Sequence, residues 1–145
     1  IARPTATEHS ELLNVLSAYG LPLGEAFQLR DDMLGIFGDP QETGKPAGDD
    51  LREGKRTVLM AMTMEKASDA ARAELTANLG NPSLSAEKIE SLRTLIVETG
   101  AIADVEKLID RLGEESVAAA KSAAINESAR PFLLALAETA IRRSY

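Results

Sequence analysis

The chain has 145 residues, 23 acidic and 16 basic, one His, no Cys, no Trp and a formal net charge of -7. Without Cys there is no disulfide scaffold and no thiolate zinc site, and the acidic balance disfavours a general nucleic-acid binder, which needs a basic surface. Hydrophobic residues at 44% and charged residues at 27% describe a globular chain, with a length that fits one helical domain over 1–145. No apolar run approaches the ~18 residues of a membrane span. No signal-peptide pattern is visible, so the cytoplasm is the expected compartment.

Ala and Leu supply 23 and 19 residues. Both are strong helix formers, strand-type alternation is missing, and an all-α fold is expected. A first helix is read over 8–19, with Leu12, Leu13, Leu16 and Tyr19 at helical spacing, Thr7 as its cap and Gly20 as its end. A second runs from Leu21 or Pro22 to Phe37, with Pro22 in a first-turn position. From Gly38 to Lys55 the periodicity stops. That stretch holds four of the ten Gly and two of the six Pro, which marks a long loop of the functional kind. Helices follow at about 56–66, 69–79, 85–98, 102–124 and 127–143. Ser68 precedes one and Ser85 caps another, while Gly80, Gly100 and Asn81-Pro82 punctuate the chain. Val105, Leu108, Ile109 and Leu112 form a packing stripe.

The second helix carries the informative pattern. At about 100° per residue, Gln28, Asp31, Asp32 and Gly35 fall on one face, and Gly24 extends it. Phe27, Leu29, Met33, Leu34, Ile36 and Phe37 cover much of the remaining circumference, so the helix is expected to be mostly buried. Adjacent buried carboxylates are costly and repel each other. A divalent cation resolves both problems, and Mg2+ suits carboxylate oxygens, with water and phosphate filling its other positions. The plain alternative is a solvated acidic face paired with Arg30 or Lys45. The apolar surround and the following loop weigh against it.

In that loop, Lys45 and Lys55 each follow a Gly. Glycine lets backbone approach a ligand, and lysine gives a flexible positive charge for phosphate. Asp49 and Asp50 are candidates for the metal shell, directly or through water. Arg52 and Arg56 are candidates to pair with acidic neighbours. The Gly/Lys/Ser spacing is wrong for a P-loop. An acidic stripe followed by two lysines on a Gly-rich loop suits a cation-bridged diphosphate.

The segments Gly24-Glu25-Ala26-Phe27-Gln28-Leu29-Arg30-Asp31-Asp32 and Gly44-Lys45-Pro46-Ala47-Gly48-Asp49-Asp50-Leu51-Arg52-Glu53-Gly54-Lys55-Arg56-Thr57 resemble the second aspartate-rich motif and following loop of the trans-isoprenyl diphosphate synthase (polyprenyl synthase) family. Their wording is most similar to actinobacterial geranylgeranyl diphosphate synthases. The resemblance implies the C-terminal portion of an isoprenoid-synthase-type helical bundle with a central cavity. It implies a Mg2+-dependent prenyltransferase, a homodimer when full-length, joining an allylic diphosphate to isopentenyl diphosphate. On that pattern Asp31 ligates the metal, Asp32 supports the ligand shell, and Asp50 orders metal-bound water. Lys45 and Lys55 hold the allylic diphosphate within a 38–55 diphosphate-binding loop. Phe27 and Gln28 meet the substrate.

Two departures stand out. Gly35 occupies a place where the family often has a third Asp. The chain also matches roughly the C-terminal half of a family member, without the first aspartate-rich motif or the basic residues for isopentenyl diphosphate, so alone it is expected to lack a complete active site. Other residues read more plainly. His9 is expected to be exposed. Met60, Met62 and Met64 alternate within one helix and suit packing. Arg142 and Arg143 suit a helix C-terminus, with closure over a diphosphate as the functional alternative. Two further function classes remain open: a non-catalytic helical subunit modulating a prenyl diphosphate synthase, and another class I isoprenoid synthase such as a terpene cyclase.

Overall fold

Helix α1 spans Ala6–Phe37 without interruption in the computed structural model, which describes residues 6–44, 46 and 48–142. The expected break at Gly20 is absent, and Pro22 lies inside the helix. Thr7 is therefore a helical residue and not a cap. Proline removes one intrahelical hydrogen bond and costs about 3 kcal/mol in a helix interior. Burial on the continuing face offsets that cost: Tyr19, Leu23 and Ala26, spaced four and three residues apart, are all buried.

The stretch after α1 is not structureless, as the sequence suggested. It contains two short helices, α2 at Pro40–Thr43 and α3 at Asp49–Glu53. Asp39 caps α2 by accepting a hydrogen bond from the Gln41 amide at 2.8 Å, and Pro40 opens the first turn. Gly48 and Gly54 bracket α3, each at φ 68°, a left-handed conformation that suits glycine. The loop's glycines thus end and start short helices.

Helices α4 (Val58–Lys66), α5 (Asp69–Asn78) and α6 (Ala86–Glu98) lie close to their expected limits. Thr57, Ser68 and Ser85 cap them, accepting from the amides of Met60, Ala71 and Lys88. Helix α7 (Ala101–Ala120) stops before the expected residue 124, and α8 (Arg130–Ile141) starts after the expected residue 127. Side chains that compete with helix explain the gap. Asn126 accepts from the Ser128 amide at 2.9 Å, and Ser122 from the Ala124 amide at 3.3 Å. Pro131 then sits at the start of α8.

Packing divides the chain into two compact units. One comprises the described residues of 1–28 and 108–144. Its core joins Tyr19, Leu23, Ala120, Ala137 and Ala140, flanked by Leu133, Leu134 and Ile141. Tyr19 Oη donates to the Leu133 carbonyl at 2.8 Å, and burial raises the phenol pKa. The other unit comprises 29–107. Its core includes Met33, Ile36, Leu51, Leu59, Ile89 and Ile96, all essentially inaccessible. Among the described residues there is no strand, and no helix is long and apolar enough to cross a membrane. The all-α expectation holds.

Candidate active site

The last turns of α1 bury Leu29, Met33 and Ile36 at 3%, 0% and 1% exposure, a stripe at the i, i+4, i+7 spacing of a helix face. Asp32 follows that stripe underground, at 6% exposure. Asp50, from α3, is buried to 4%. Lys55 joins the two: its Nζ lies 2.8 Å from Asp32 Oδ1 and 3.3 Å from Asp50 Oδ2. Residues spread over 23 positions of sequence thereby meet around one ammonium group.

Backbone geometry delivers Lys55 to this place. The chain turns at Gly54, and the Lys55 amide returns a hydrogen bond to the Asp50 carbonyl at 3.0 Å. The Gly80 amide donates to the Leu51 carbonyl at 2.9 Å, pinning α3 from the other side. A Cβ on Gly54 would lie 2.8 Å from the Gly80 Cα, so these two backbones meet because residue 54 lacks a side chain.

Asp50 owes its position to Gly35. A Cβ on residue 35 would lie 2.6 Å from Asp50 Oδ1 and nearer still to its other carboxyl atoms. The carboxylate thus occupies the volume that a side chain at 35 would fill.

The electrostatics follow from this geometry. The hydrogen bond to Asp32 raises the Lys55 pKa, partial burial works against it, and the Asp50 charge adds to the rise. Lys55 is therefore firmly protonated. Asp50 Oδ2, although near Lys55, is buried and accepts no hydrogen bond. Its contact with the Lys55 ammonium at 3.3 Å is longer than the Asp32 contact at 2.8 Å, so Asp32 is the tighter partner of the lysine.

The remaining candidates are distributed as follows. Asp31 is half-buried and makes no ion pair among the described residues. Phe27 and Gln28 are exposed and belong to the first unit. Lys45 and Arg143 lie outside the described residues. Arg30 is buried and clasps Glu106 through two bonds of 2.6 and 2.7 Å. Arg52 donates to the Leu84 carbonyl at 3.4 Å. Arg142 pairs with Glu138 at 3.2 Å on an exposed helix end. His9 is exposed, Met60 is buried, and Met62 and Met64 are half-buried.

Two features had no signal in the sequence. Arg93 Nε donates to the Ile36 carbonyl at 2.7 Å, and its guanidinium lies over the Phe37 ring. It satisfies one of the orphan carbonyls at the end of α1 and so fixes the helix that carries Asp31 and Asp32. The seat that Gly35 leaves for Asp50 was equally invisible, because a lone glycine in a helical pattern does not say which side chain fills its place.

The acid cluster suits magnesium as one part of a site. Among the described residues, no three His, Asp or Glu groups stand together as a closed metal cage. Mg2+ rarely uses such a cage. It takes one or two carboxylates and completes its octahedron with water and phosphate. The carboxylates of Asp32 and Asp50, brought together by Lys55, are hard oxygen donors of that kind.

Comparison with known proteins fixes the family. The polyprenyl synthetase family model matches residues 2–96, and the chain belongs to that family. The geranylgeranyl diphosphate synthase of Saccharolobus solfataricus is 40% identical over 88 residues, covering 61% of this chain and 26% of that protein. The geranylgeranyl diphosphate synthase of Mycobacterium tuberculosis is 35% identical over 129 residues, covering 88% of this chain and 35% of that protein. The fold is similar to a geranylgeranyl pyrophosphate synthase of Corynebacterium glutamicum solved with isoprenyl diphosphate and magnesium. That match has a TM-score of 0.86 at 44% identity, over 90% of this chain and 37% of that one. The chain thus spans about a quarter to a third of the length of the curated relatives it matches.

Proposed function

We propose that this chain forms the second-aspartate portion of a Mg2+-dependent trans-isoprenyl diphosphate synthase. The reaction joins an allylic diphosphate to isopentenyl diphosphate. The allylic C–O bond breaks and diphosphate leaves with the electron pair. The isopentenyl double bond then forms the new C–C bond, and a proton is lost to restore an alkene.

The observation that carries this reading is the buried meeting of Asp32, Asp50 and Lys55 beside Asp31. Two buried acids with one lysine keep a net negative charge, which a cation relieves. The family membership and the magnesium and isoprenyl diphosphate bound by the Corynebacterium relative support the same reading. Magnesium, when bound, would supply positive charge against the departing diphosphate.

Each residue has a distinct part. Asp31 and Asp32 present carboxylate oxygens at the end of a helix that Arg93 holds in place. Asp50 adds an oxygen from α3. Lys55 keeps the acid pair ordered and, with Lys45, would bind diphosphate oxygens as a fixed positive charge. Phe27 and Gln28, exposed on α1, would meet the substrate. The chain is proposed to work within a longer, cytoplasmic, homodimeric enzyme and to be inactive alone. A non-catalytic subunit would have no use for buried acids under a lysine.

The test is Asp31→Ala in the whole protein. Losing one electrostatic contact of this type typically costs about 10²–10³ in turnover. We expect a fall of that size in prenyl transfer with the fold intact by circular dichroism. Near-normal turnover would reject the assignment.

A further inference from the structure

We infer that Gly35 is a positioning residue, whose missing side chain is the seat that holds the Asp50 carboxylate beside Asp32. The inference rests on the reading of this site as a magnesium–diphosphate centre, and it adds a residue that carries no chemistry of its own. Residue 35 stands four positions after Asp31 and three after Asp32 on α1, so it is their neighbour on the helix surface. At that point the helix has no side chain, and a carboxylate from α3 fills the gap. Asp50 is buried, its Oδ1 would sit 2.6 Å from any Cβ at 35, and its Oδ2 is held 3.3 Å from the Lys55 ammonium. The site therefore draws its acids from two elements, α1 and α3, and Gly35 is what lets the second one in.

Helix propensity makes the inference testable. Ala is favoured over Gly in a helix interior, so an unoccupied position 35 would gain from Gly35→Ala. A seat occupied by Asp50 reverses the sign. The whole protein is compared as wild type, Gly35→Ala, Asp50→Ala, the Gly35→Ala/Asp50→Ala double variant and the exchanged Gly35→Asp/Asp50→Ala variant. Urea unfolding without metal is the first measurement. Gly35→Ala should lower the unfolding midpoint when Asp50 is present and raise it in the Asp50→Ala background. The same sign in both backgrounds overturns the inference.

The second measurement is the Mg2+ concentration that half-saturates the thermal shift at fixed inorganic diphosphate. Gly35→Ala and Asp50→Ala should each raise it about tenfold, and the double variant should be no worse than either, as expected for one shared interaction. The exchanged variant carries its carboxylate on α1 and should return to within about threefold of wild type. A Gly35→Ala response equal to wild type, or additive losses in the double variant, overturns the inference. If wild type shows no Mg2+–diphosphate shift at all, the functional reading falls, and the metal-free midpoints still decide whether Gly35 seats Asp50.

Discussion

Gly35 and Gly113 both lie inside helices, and at each a side chain from another element fills the missing volume. At Gly35 the filler is the Asp50 carboxylate; at Gly113 it is the Ile141 side chain. The aliphatic region around Gly113 is a helix–helix contact of Ala, Leu and Ile, with the Tyr19 hydroxyl anchored on the Leu133 carbonyl. The region around Gly35 uses the same absence of a Cβ to bring in charge. A flexible isoleucine end can rotate away from an intruding methyl group. A short, buried carboxylate held between Gly35 and Lys55 has far less room to move. One packing device therefore makes an adjustable contact in one unit and a constrained polar cluster in the other.

The largest stability effect that sharpens this contrast is expected at the ion pair beside the cluster. Arg30 has 8% side-chain exposure and Glu106 31%. Glu106→Ala would leave a buried guanidinium without its two-bond partner. Breaking a fully buried pair costs about 3–5 kcal/mol, and Glu106's partial exposure brings the expectation to about 2–3 kcal/mol. Chemical denaturation measures it. A change below about 0.5 kcal/mol would show that the charged region is as forgiving as the aliphatic one.

A smaller effect is expected from Gly113→Ala. The added methyl meets the Ile141 Cδ1, at the last residue of α8. Helix propensity favours Ala by about 1 kcal/mol, and strain from overpacking is relieved as Ile141 turns. The net change in unfolding free energy should stay within about 1 kcal/mol. A loss above about 2 kcal/mol would make the two glycines equivalent and remove the contrast.

Where the sequence was readable, local chemistry was decisive. Ser68 and Ser85 announce their helices through hydroxyls that accept amide hydrogen bonds, and these caps act whatever packs nearby; Thr57, expected inside a helix from residue 56, is instead the cap of α4. The pattern around Asp31 and Asp32 was legible for a similar reason, since helical spacing alone puts them next to a buried stripe. The sequence misled where tertiary packing overrode a local signal. Gly20 and Pro22 look like a break, yet burial of Tyr19, Leu23 and Ala26 carries α1 through. The loop after α1 looked structureless because its two helices have only four and five residues, too short for periodicity to register. The partnership of Gly35 with Asp50 links positions fifteen apart through space, and no spacing rule encodes it.

The thermal response of the whole protein to Mg2+ and inorganic diphosphate together tests the central claim most directly. At a hundred times the dissociation constant, a ligand that binds only the folded state adds about 2.7 kcal/mol, which is several degrees in melting temperature for a protein of ordinary size. The account predicts that rise in the wild type and its loss in Asp32→Ala. An unchanged melting temperature in wild type with both present, or an equal rise in the variant, would contradict it.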